Sequence, residues 1–126
     1  MILGIGTDIT EVSRFEKWVK NPEMIDRFFN PNEKNNAKSL NSSCEHYAAR
    51  FAAKEAFGKA LGTGLAGFEL KDVYIKNDSL GKPELTVENS AAELLKKRCG
   101  NANILVSLSH EKKYAVAFVV IETAST

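Results

Sequence analysis

The strongest helix signal in the chain is HYAARFAAKEAFGKAL, which spans residues 46–61. Ser42 and Glu45 precede it with the Ser-x-x-Glu spacing of a capping box, which predicts that the helix begins there. Gly62 follows the last helical residue, and glycine is typical of a helix C-terminus because it tolerates a left-handed backbone. We therefore expect one long helix that ends in a glycine-containing loop.

Apolar segments on both sides of this helix predict strands. They occupy residues 1–6, 70–75, 84–87, 104–109 and 114–121. The last two segments are joined by a short polar turn, which is typical of a β-hairpin. The expected fold class is α+β, with a mainly antiparallel sheet packed against the long helix in a single domain over residues 1–126.

Shorter helices are predicted between these elements. Thr10 can cap a helix that follows the first strand. Two Asn-Pro pairs, each followed by an acid in the first turn, predict short helices or turns over residues 22–40. A last helix is expected from Asn89 or Ser90 to Gly100.

The charge balance and the cysteine count exclude several classes of protein. Lys plus Arg number 17 and Asp plus Glu number 16, so the formal net charge is +1, whereas polybasic nucleic-acid binders are strongly basic. Cys44 and Cys99 lie too far apart for a zinc-binding pair and are too few for a disulfide framework. The sequence shows no basic leader and no apolar run of membrane-spanning length. We expect a cytoplasmic protein with reduced thiols that binds neither nucleic acid nor membrane.

Two glycines in the first predicted strand invite a dinucleotide-binding interpretation. That motif would need a third glycine at position 9, where this chain has Ile9. We expect Gly4 and Gly6 instead to permit a close backbone approach, or a bend beside Asp8.

Two carboxylates are candidate site residues. Asp8 ends the first predicted strand, where it can reach a cleft or can cap the helix that follows. Glu55 shares one helix face with Phe51 and Ala52, and a carboxylate on an apolar face is costly to bury unless it is paired or binds a cation. Lys59, four residues on, offers a surface ion pair as the alternative. Together, Asp8 and Glu55 predict an oxygen-ligand site for Mg²⁺.

Cationic side chains accompany Glu55 on the same helix. Arg50, Lys54 and Lys59 precede the glycine loop, and cations beside exposed backbone N–H groups suit a polyphosphate. The alternative is a solvated basic helix face. His110 ends a strand and can bind a phosphate or act as an acid or base, or can simply be an exposed turn residue.

Four motifs taken together resemble the holo-acyl-carrier-protein synthases, the small single-repeat class of 4′-phosphopantetheinyl transferases. They are GIGTDITEVSRFEK at 4–17, ARFAAKEAFGKALGTG at 49–64, GKP at 81–83 and SLSHEKKYAVAFVVIE at 107–122. Their order and spacing match the family, and the resemblance covers nearly the whole chain. It implies the 4′-phosphopantetheinyl transferase-like fold.

The resemblance also implies a reaction. Such enzymes move the phosphopantetheine arm of coenzyme A onto a serine of an apo acyl carrier protein and release adenosine 3′,5′-bisphosphate. By the family pattern, Asp8 and Glu55 would be Mg²⁺ ligands, and Lys59 would act with them in catalysis. Positioning and electrostatics would supply most of the rate enhancement.

The resemblance assigns further residues to the two substrates. Coenzyme A, the co-substrate, would meet Arg50, Lys54, Lys59 and His110 through its phosphates, with Gly62, Gly64, Pro83 and Ser109 shaping the pocket. The acidic carrier protein would dock on Arg14, Trp18, Arg27 and Phe28. The family implies a homotrimer with active sites at the subunit interfaces.

Two features depart from the family pattern. The larger two-repeat transferases carry a third carboxylate two residues after the first, and this chain has Thr10 there. Residues 11–34 hold five basic and five acidic side chains, so the docking region is not basic overall. Two other functions stay open on the sequence. One is a Mg²⁺-dependent nucleotide or pyrophosphate hydrolase, and the other is a non-catalytic trimeric binding module.

Overall fold

The computed structural model describes residues 1–35 and 39–124. Within these ranges the strands are β1 (Ile2–Glu11), β2 (Val73–Asn77), β3 (Pro83–Val87), β4 (Ala102–His110) and β5 (Tyr114–Thr123). The α-helices are α1 (Glu16–Val19), α2 (Pro22–Phe28), α3 (Leu40–Leu61) and α4 (Asn89–Cys99). Single 3₁₀ segments lie at Val12–Phe15, Pro31–Glu33 and Leu70–Asp72. The predicted α+β class is confirmed.

The larger sheet has the strand order β1-β5-β4 with antiparallel pairing, and β2 and β3 form a separate antiparallel pair. Ala117 of β5 lies opposite Asp8 of β1, and Ala115 lies opposite both Thr10 and His110. Side chains alternate between the two faces of a strand, so Asp8, Thr10 and His110 share one face of this sheet.

Helix α3 packs directly on β1 at two glycines. A Cβ on Gly4 would lie 1.9 Å from the carbonyl oxygen of Ala60, and one on Gly6 would lie 1.9 Å from that of Ala56. No side chain fits in that space, so the predicted close backbone approach is confirmed. The contact brings the C-terminal half of α3 beside Asp8.

Two apolar clusters hold the helix in place. The larger one lies between α3, the two sheets and α4, with Phe57, Val73 and Ile121 among its fully buried members. The second joins the N-terminal half of α3 to the segment after β1, where Phe15 and Phe29 are fully buried. Burial of an aromatic or branched side chain stabilises a fold by roughly 1.5–3 kcal/mol.

The start of the long helix differs from the sequence prediction. Helix α3 begins at Leu40, and the hydroxyl of Ser39 accepts a hydrogen bond from the Ser42 backbone N–H at 3.1 Å. Ser39 is therefore the capping residue, and Ser42 lies inside the first turn. The expected capping box of Ser42 and Glu45 is wrong, because the helix begins before Ser42 and the Ser39 hydroxyl caps it. The predicted end at Gly62 is confirmed by its left-handed backbone, with φ +84°.

Two other element boundaries differ from the sequence prediction. β1 continues to Glu11, so Thr10 lies in the strand and caps no helix, and Leu70–Asp72 is a 3₁₀ turn that precedes β2. The β4–β5 hairpin and the helix that ends at Gly100 are confirmed. Residues 36–38 of the region predicted as short helices or turns lie outside the described residues. No helix in the described ranges is both long and apolar enough to cross a membrane.

Candidate active site

Asp8 lies on β1 under the C-terminal half of α3 and is 9% exposed. Its Oδ2 accepts a hydrogen bond from Thr10 Oγ1 at 2.8 Å, and its Oδ1 lies 3.3 Å from Lys59 Nζ. The 3₁₀ segment after β1 has Glu11 as its capping residue and no side-chain cap. Asp8 is therefore not a helix cap, and its carboxylate faces α3.

Glu55 projects from α3 toward Asp8. Burial raises the pKa of Glu55, and the negative charge of Asp8 raises it further, while Arg14 and Lys59 oppose the shift. Two carboxylates thus share one half-buried site. Lys59 donates to the Thr7 carbonyl at 3.0 Å and pairs with Asp8. Lys59 therefore joins α3 to β1, in contrast to the alternative of a pair with Glu55 along the helix.

The two carboxylates fit a divalent cation that prefers oxygen ligands. Like charges that share a partly buried site destabilise each other, and a bound cation removes that repulsion. Mg²⁺ usually takes one or two protein carboxylates and completes its shell with water and substrate phosphates. Asp8 and Glu55 supply such a pair, and the ammonium group of Lys59 adds a positive charge at the same place.

Lys54 occupies a different place from the one expected. Its side chain is fully buried, and its ammonium group donates to Glu33 Oε1 at 2.7 Å, to the Leu70 carbonyl at 2.9 Å and to the Val73 carbonyl. All three ammonium protons are used inside the core. We therefore correct the expected phosphate contact of Lys54 to a structural role.

Glu33 is the partner that the sequence did not single out. It is 1% exposed, and it accepts hydrogen bonds from Lys54, from the Asn30 backbone N–H and from the Ile75 backbone N–H. The available signal was the Asn-Pro-x-Glu start of a short helix, and the structure does form a capping box there. That signal predicts a local cap and gives no indication of a lysine 21 residues away.

Arg50 and His110 contact residues in the N-terminal half of α3. His110 Nδ1 is 3.2 Å from Glu45 Oε2, which ties the end of β4 to the helix. Arg50 Nη1 donates to the His46 carbonyl at 3.3 Å, and its Nε is buried without a hydrogen-bond partner among the described residues. Burial, then the charges of Arg50 and His110, lower the pKa of His46 to about 4. The end of β4 therefore brings His110 to the part of α3 that carries Glu45, His46 and Arg50.

The glycine loop is closed on itself. The backbone N–H groups of Gly62, Thr63 and Gly64 all donate to the Gly58 carbonyl, at 3.1, 3.1 and 3.0 Å. The sequence predicts free amide donors for a phosphate at this loop. The structure corrects that prediction, because all three amides already donate to Gly58. The loop can still shape a pocket, because a Cβ on Gly64 would meet open space and its φ is +63°.

Pro83 and Ser109 lie at other surfaces. Pro83 lines a cleft of about 350 Å³ between the facing edges of β3 and β4, together with Lys82, Glu84, Leu85, Thr86, Ile104, Leu105 and Val106. Ser109 is opposite Val116 in the sheet, on the outer face, whereas His110 points toward α3. The structure therefore does not bring the predicted coenzyme A residues together within one chain.

The four predicted docking residues form one surface patch. Trp18 packs against Phe28 and Phe51 with ring centroids 5.3 Å apart in each pair. The Arg14 guanidinium lies 5.3 Å from the Phe51 ring, and that of Arg27 lies 5.2 Å from the Phe28 ring. Arg14 is also close enough to Glu55 to act on its pKa, so this patch borders the carboxylate pair.

Comparison with known proteins supports the resemblance. The profile of the 4′-phosphopantetheinyl transferase superfamily matches residues 4–119. Holo-[acyl-carrier-protein] synthase of Treponema denticola is 52% identical over 123 residues, which is 97% of this chain and 99% of that protein. The protein of that name from Geobacter sp. (strain M21) is 49% identical over 125 residues, with 97% and 99% covered.

A solved structure is similar over the same extent. The crystal structure of a holo-(acyl-carrier-protein) synthase from Bacillus anthracis, in complex with CoA (3′,5′-ADP), has a TM-score of 0.80 at 37% identity. It covers 98% of this chain and 99% of that chain. The fold expected from the sequence motifs is therefore confirmed.

Proposed function

Because this chain belongs to the 4′-phosphopantetheinyl transferase superfamily, we propose that it transfers the phosphopantetheine arm of coenzyme A to a serine of an apo acyl carrier protein. The observation that carries the proposal is the meeting of Asp8 and Glu55 beside Lys59 at the contact of β1 with α3. The likeness to a synthase solved with CoA supports the choice of coenzyme A as the donor.

In the proposed reaction, the serine oxygen forms a bond to the phosphorus attached to pantetheine. The bond from that phosphorus to the bridging oxygen of the pyrophosphate breaks, and adenosine 3′,5′-bisphosphate leaves with the electron pair. The serine proton passes to solvent water. Asp8 and Glu55 would hold Mg²⁺, which when bound supplies positive charge to the pyrophosphate oxygens. Lys59, held by Thr7 and Asp8, places an ammonium group where negative charge develops on the leaving phosphate.

We assign Arg50 and His110 to the remaining phosphate of coenzyme A. Arg50 lies on α3 and His110 lies at the end of β4 beside that helix, and the guanidinium of Arg50 retains a buried Nε without a partner in the described chain. The cleft beside Pro83 and the outer-face Ser109 would be brought to the site by a neighbouring subunit, with Gly62 and Gly64 shaping its wall. Because these residues lie at separate surfaces of one chain, we favour a coenzyme A site that is shared between two chains.

The outer face of the β1-β5-β4 sheet supports self-association. It exposes Ile5, Ile9, Leu105, Val116 and Phe118, with Ile9 65% and Phe118 45% exposed. Contiguous apolar surface of this kind usually marks an interface. We propose that copies of the chain pack through this face as a trimer, the assembly that the family resemblance implies. The two thiols, Cys44 and Cys99, are free, in agreement with a proposed cytoplasmic location.

The carrier protein would dock on the patch of Arg14, Trp18, Arg27 and Phe28. The exposed surface of residues 11–34 is more basic than the sequence count indicates, because Glu33 is buried and paired with Lys54. Asp26 also pairs with Lys34 at 2.5 Å on the surface. The exposed charges of residues 11–34 therefore number five basic and four acidic, which favours an acidic carrier slightly.

The deciding experiment is mass spectrometry of an apo acyl carrier protein after incubation with this chain, coenzyme A and Mg²⁺. We expect a mass gain equal to one phosphopantetheine group and an equal amount of adenosine 3′,5′-bisphosphate. Asp8→Asn and Glu55→Gln should each lower the rate by at least about 100-fold while the protein stays folded. Hydrolysis of coenzyme A without the carrier would favour the hydrolase, and binding without a mass gain would favour the non-catalytic module.

A further inference from the structure

We propose that Thr10 is a positioning residue for Asp8, whose hydroxyl fixes the carboxylate so that Oδ1 is the oxygen presented to the divalent cation. This inference rests on the proposed function, because it takes Asp8 to be a metal ligand. The sequence interpretation gives Thr10 as a helix cap and as the residue at the position of a third carboxylate, and the structure places it inside β1.

The hydrogen bond between the two residues has an ordinary length and is shielded from solvent. Thr10 Oγ1 donates to Asp8 Oδ2 at 2.8 Å, and Thr10 is 4% exposed. Both residues lie on the α3 side of β1, two positions apart, where the strand period brings them to the same face. Threonine is branched at Cβ and has few rotamers, so its hydroxyl is a rigid donor.

The two oxygens of Asp8 therefore have different surroundings. Oδ2 is bound by a buried donor on the same strand, whereas Oδ1 lies 3.3 Å from Lys59 Nζ, whose side chain is half exposed. Oδ1 faces Lys59, and the charge of Lys59 also acts on Glu55. Rotation of the carboxylate would break the bond to Thr10, and the hydroxyl thus holds Oδ1 toward the proposed cation.

Removal of such an orienting partner typically weakens metal binding by 10- to 100-fold. The probe is Mn²⁺, whose free concentration is measured by electron paramagnetic resonance in the presence of coenzyme A, so that affinity is obtained without an activity assay. We expect Thr10→Val, which keeps the shape and removes the hydroxyl, to weaken Mn²⁺ binding by roughly ten-fold or more. Thr10→Ser keeps the hydroxyl and should stay within about two-fold of the parent chain.

Asp8→Asn separates this inference from the proposed function. If Asp8→Asn abolishes Mn²⁺ binding and Thr10→Val does not weaken it, the positioning role is wrong and the metal site stands. If Asp8→Asn binds Mn²⁺ like the parent, the metal site itself is wrong. Equal weakening in Thr10→Ser and Thr10→Val would also overturn the inference, because the hydroxyl would not be the cause. Thr10→Ala is a second hydroxyl-free variant, and thermal unfolding identifies which of the two is folded.

Discussion

Lys54 Nζ lies 2.7 Å from Glu33 Oε1, and both side chains are fully buried. The pair joins three parts of the chain, because Lys54 also donates to the carbonyls of Leu70 and Val73, and Glu33 Oε2 accepts from the Ile75 backbone N–H at 3.2 Å. Helix α3, strand β2 and the turn at Pro31–Glu33 are therefore fixed together one residue away from Glu55.

Loss of one member of this pair should be strongly destabilising. Lys54→Met leaves Glu33 as an unpaired buried charge, and we expect the free energy of unfolding in urea to fall by about 3–5 kcal/mol. The matched control is Lys71→Met, since Lys71 forms an exposed pair with Glu69 at 3.8 Å. Its loss should stay within about 1 kcal/mol. Equal effects in the two variants would contradict the buried-pair interpretation.

The contact of α3 with β1 predicts that Gly6→Ala strongly destabilises the fold. A Cβ at Gly6 would lie 1.9 Å from the Ala56 carbonyl oxygen, so Gly6→Ala must displace the helix from the strand. We expect a loss of about 3 kcal/mol or more, or failure to fold, in thermal or urea unfolding. Gly64→Ala is the control, because its φ is +63° but a Cβ there meets open space. It should cost only about 1–2 kcal/mol, for the left-handed backbone alone.

The sequence predicts the residues of the candidate site better than it predicts the contacts that these residues make. The sequence predicts Asp8 because it ends an apolar strand, and it predicts Glu55 because this residue lies on an apolar helix face. Both patterns are local and are therefore visible in a sequence. The sequence does not predict the buried position of Lys54, because this position depends on Glu33, 21 residues earlier, and on two carbonyls of a later segment. The sequence predicts a cap at Thr10 and not a strand residue, because the end of β1 is set by pairing with β5, which lies over a hundred residues further along the chain. Long-range contacts of this kind leave no periodic signal.

His46 predicts an acid-dependent loss of stability. Its pKa is lowered to about 4 in the folded protein, whereas an unfolded histidine has its ordinary value of 6.5. The unfolded chain therefore binds the extra proton first, so this histidine contributes its full stability above pH 6.5 and loses it progressively down to about pH 4. The slope for one group stays below about 1.4 kcal/mol per pH unit.

His46→Gln tests this dependence, because the glutamine amide can still donate to the Glu33 carbonyl that His46 Nε2 contacts. We expect urea unfolding to show a shallower loss of stability between pH 6.5 and 4.5 in the variant than in the parent. Comparison at pH 8, where the imidazole is neutral in both states, isolates any packing difference. Parallel pH profiles for the two proteins would show that His46 does not titrate differently on folding.

The repulsion between Asp8 and Glu55 predicts that the metal-free protein is less stable than a variant that lacks one of the two charges. With Glu55 and Asp8 both charged in a half-buried site, Glu55→Gln removes a repulsion. We expect the variant to melt at a higher temperature than the parent in the presence of EDTA. Added Mg²⁺ should stabilise the parent and leave Glu55→Gln unchanged, because a ligand stabilises only the state that binds it. Glu93→Gln, an exposed residue on α4, is the control and should change neither result.

The exposed face of the large sheet predicts the assembly state. Phe118 is 45% exposed in the middle of this apolar face, and Phe118→Lys places a charge where copies are proposed to pack. In analytical ultracentrifugation we expect the parent chain near three times its mass of 13.9 kDa and the variant near one times that mass.

Transfer activity should fall with the loss of the trimer, because Ser109 and the cleft beside Pro83 would no longer reach a neighbouring carboxylate pair. Leu80→Lys changes an apolar side chain that is 93% exposed in the β2–β3 turn, so it should keep both assembly and activity. A monomeric parent chain with full activity would contradict the shared site.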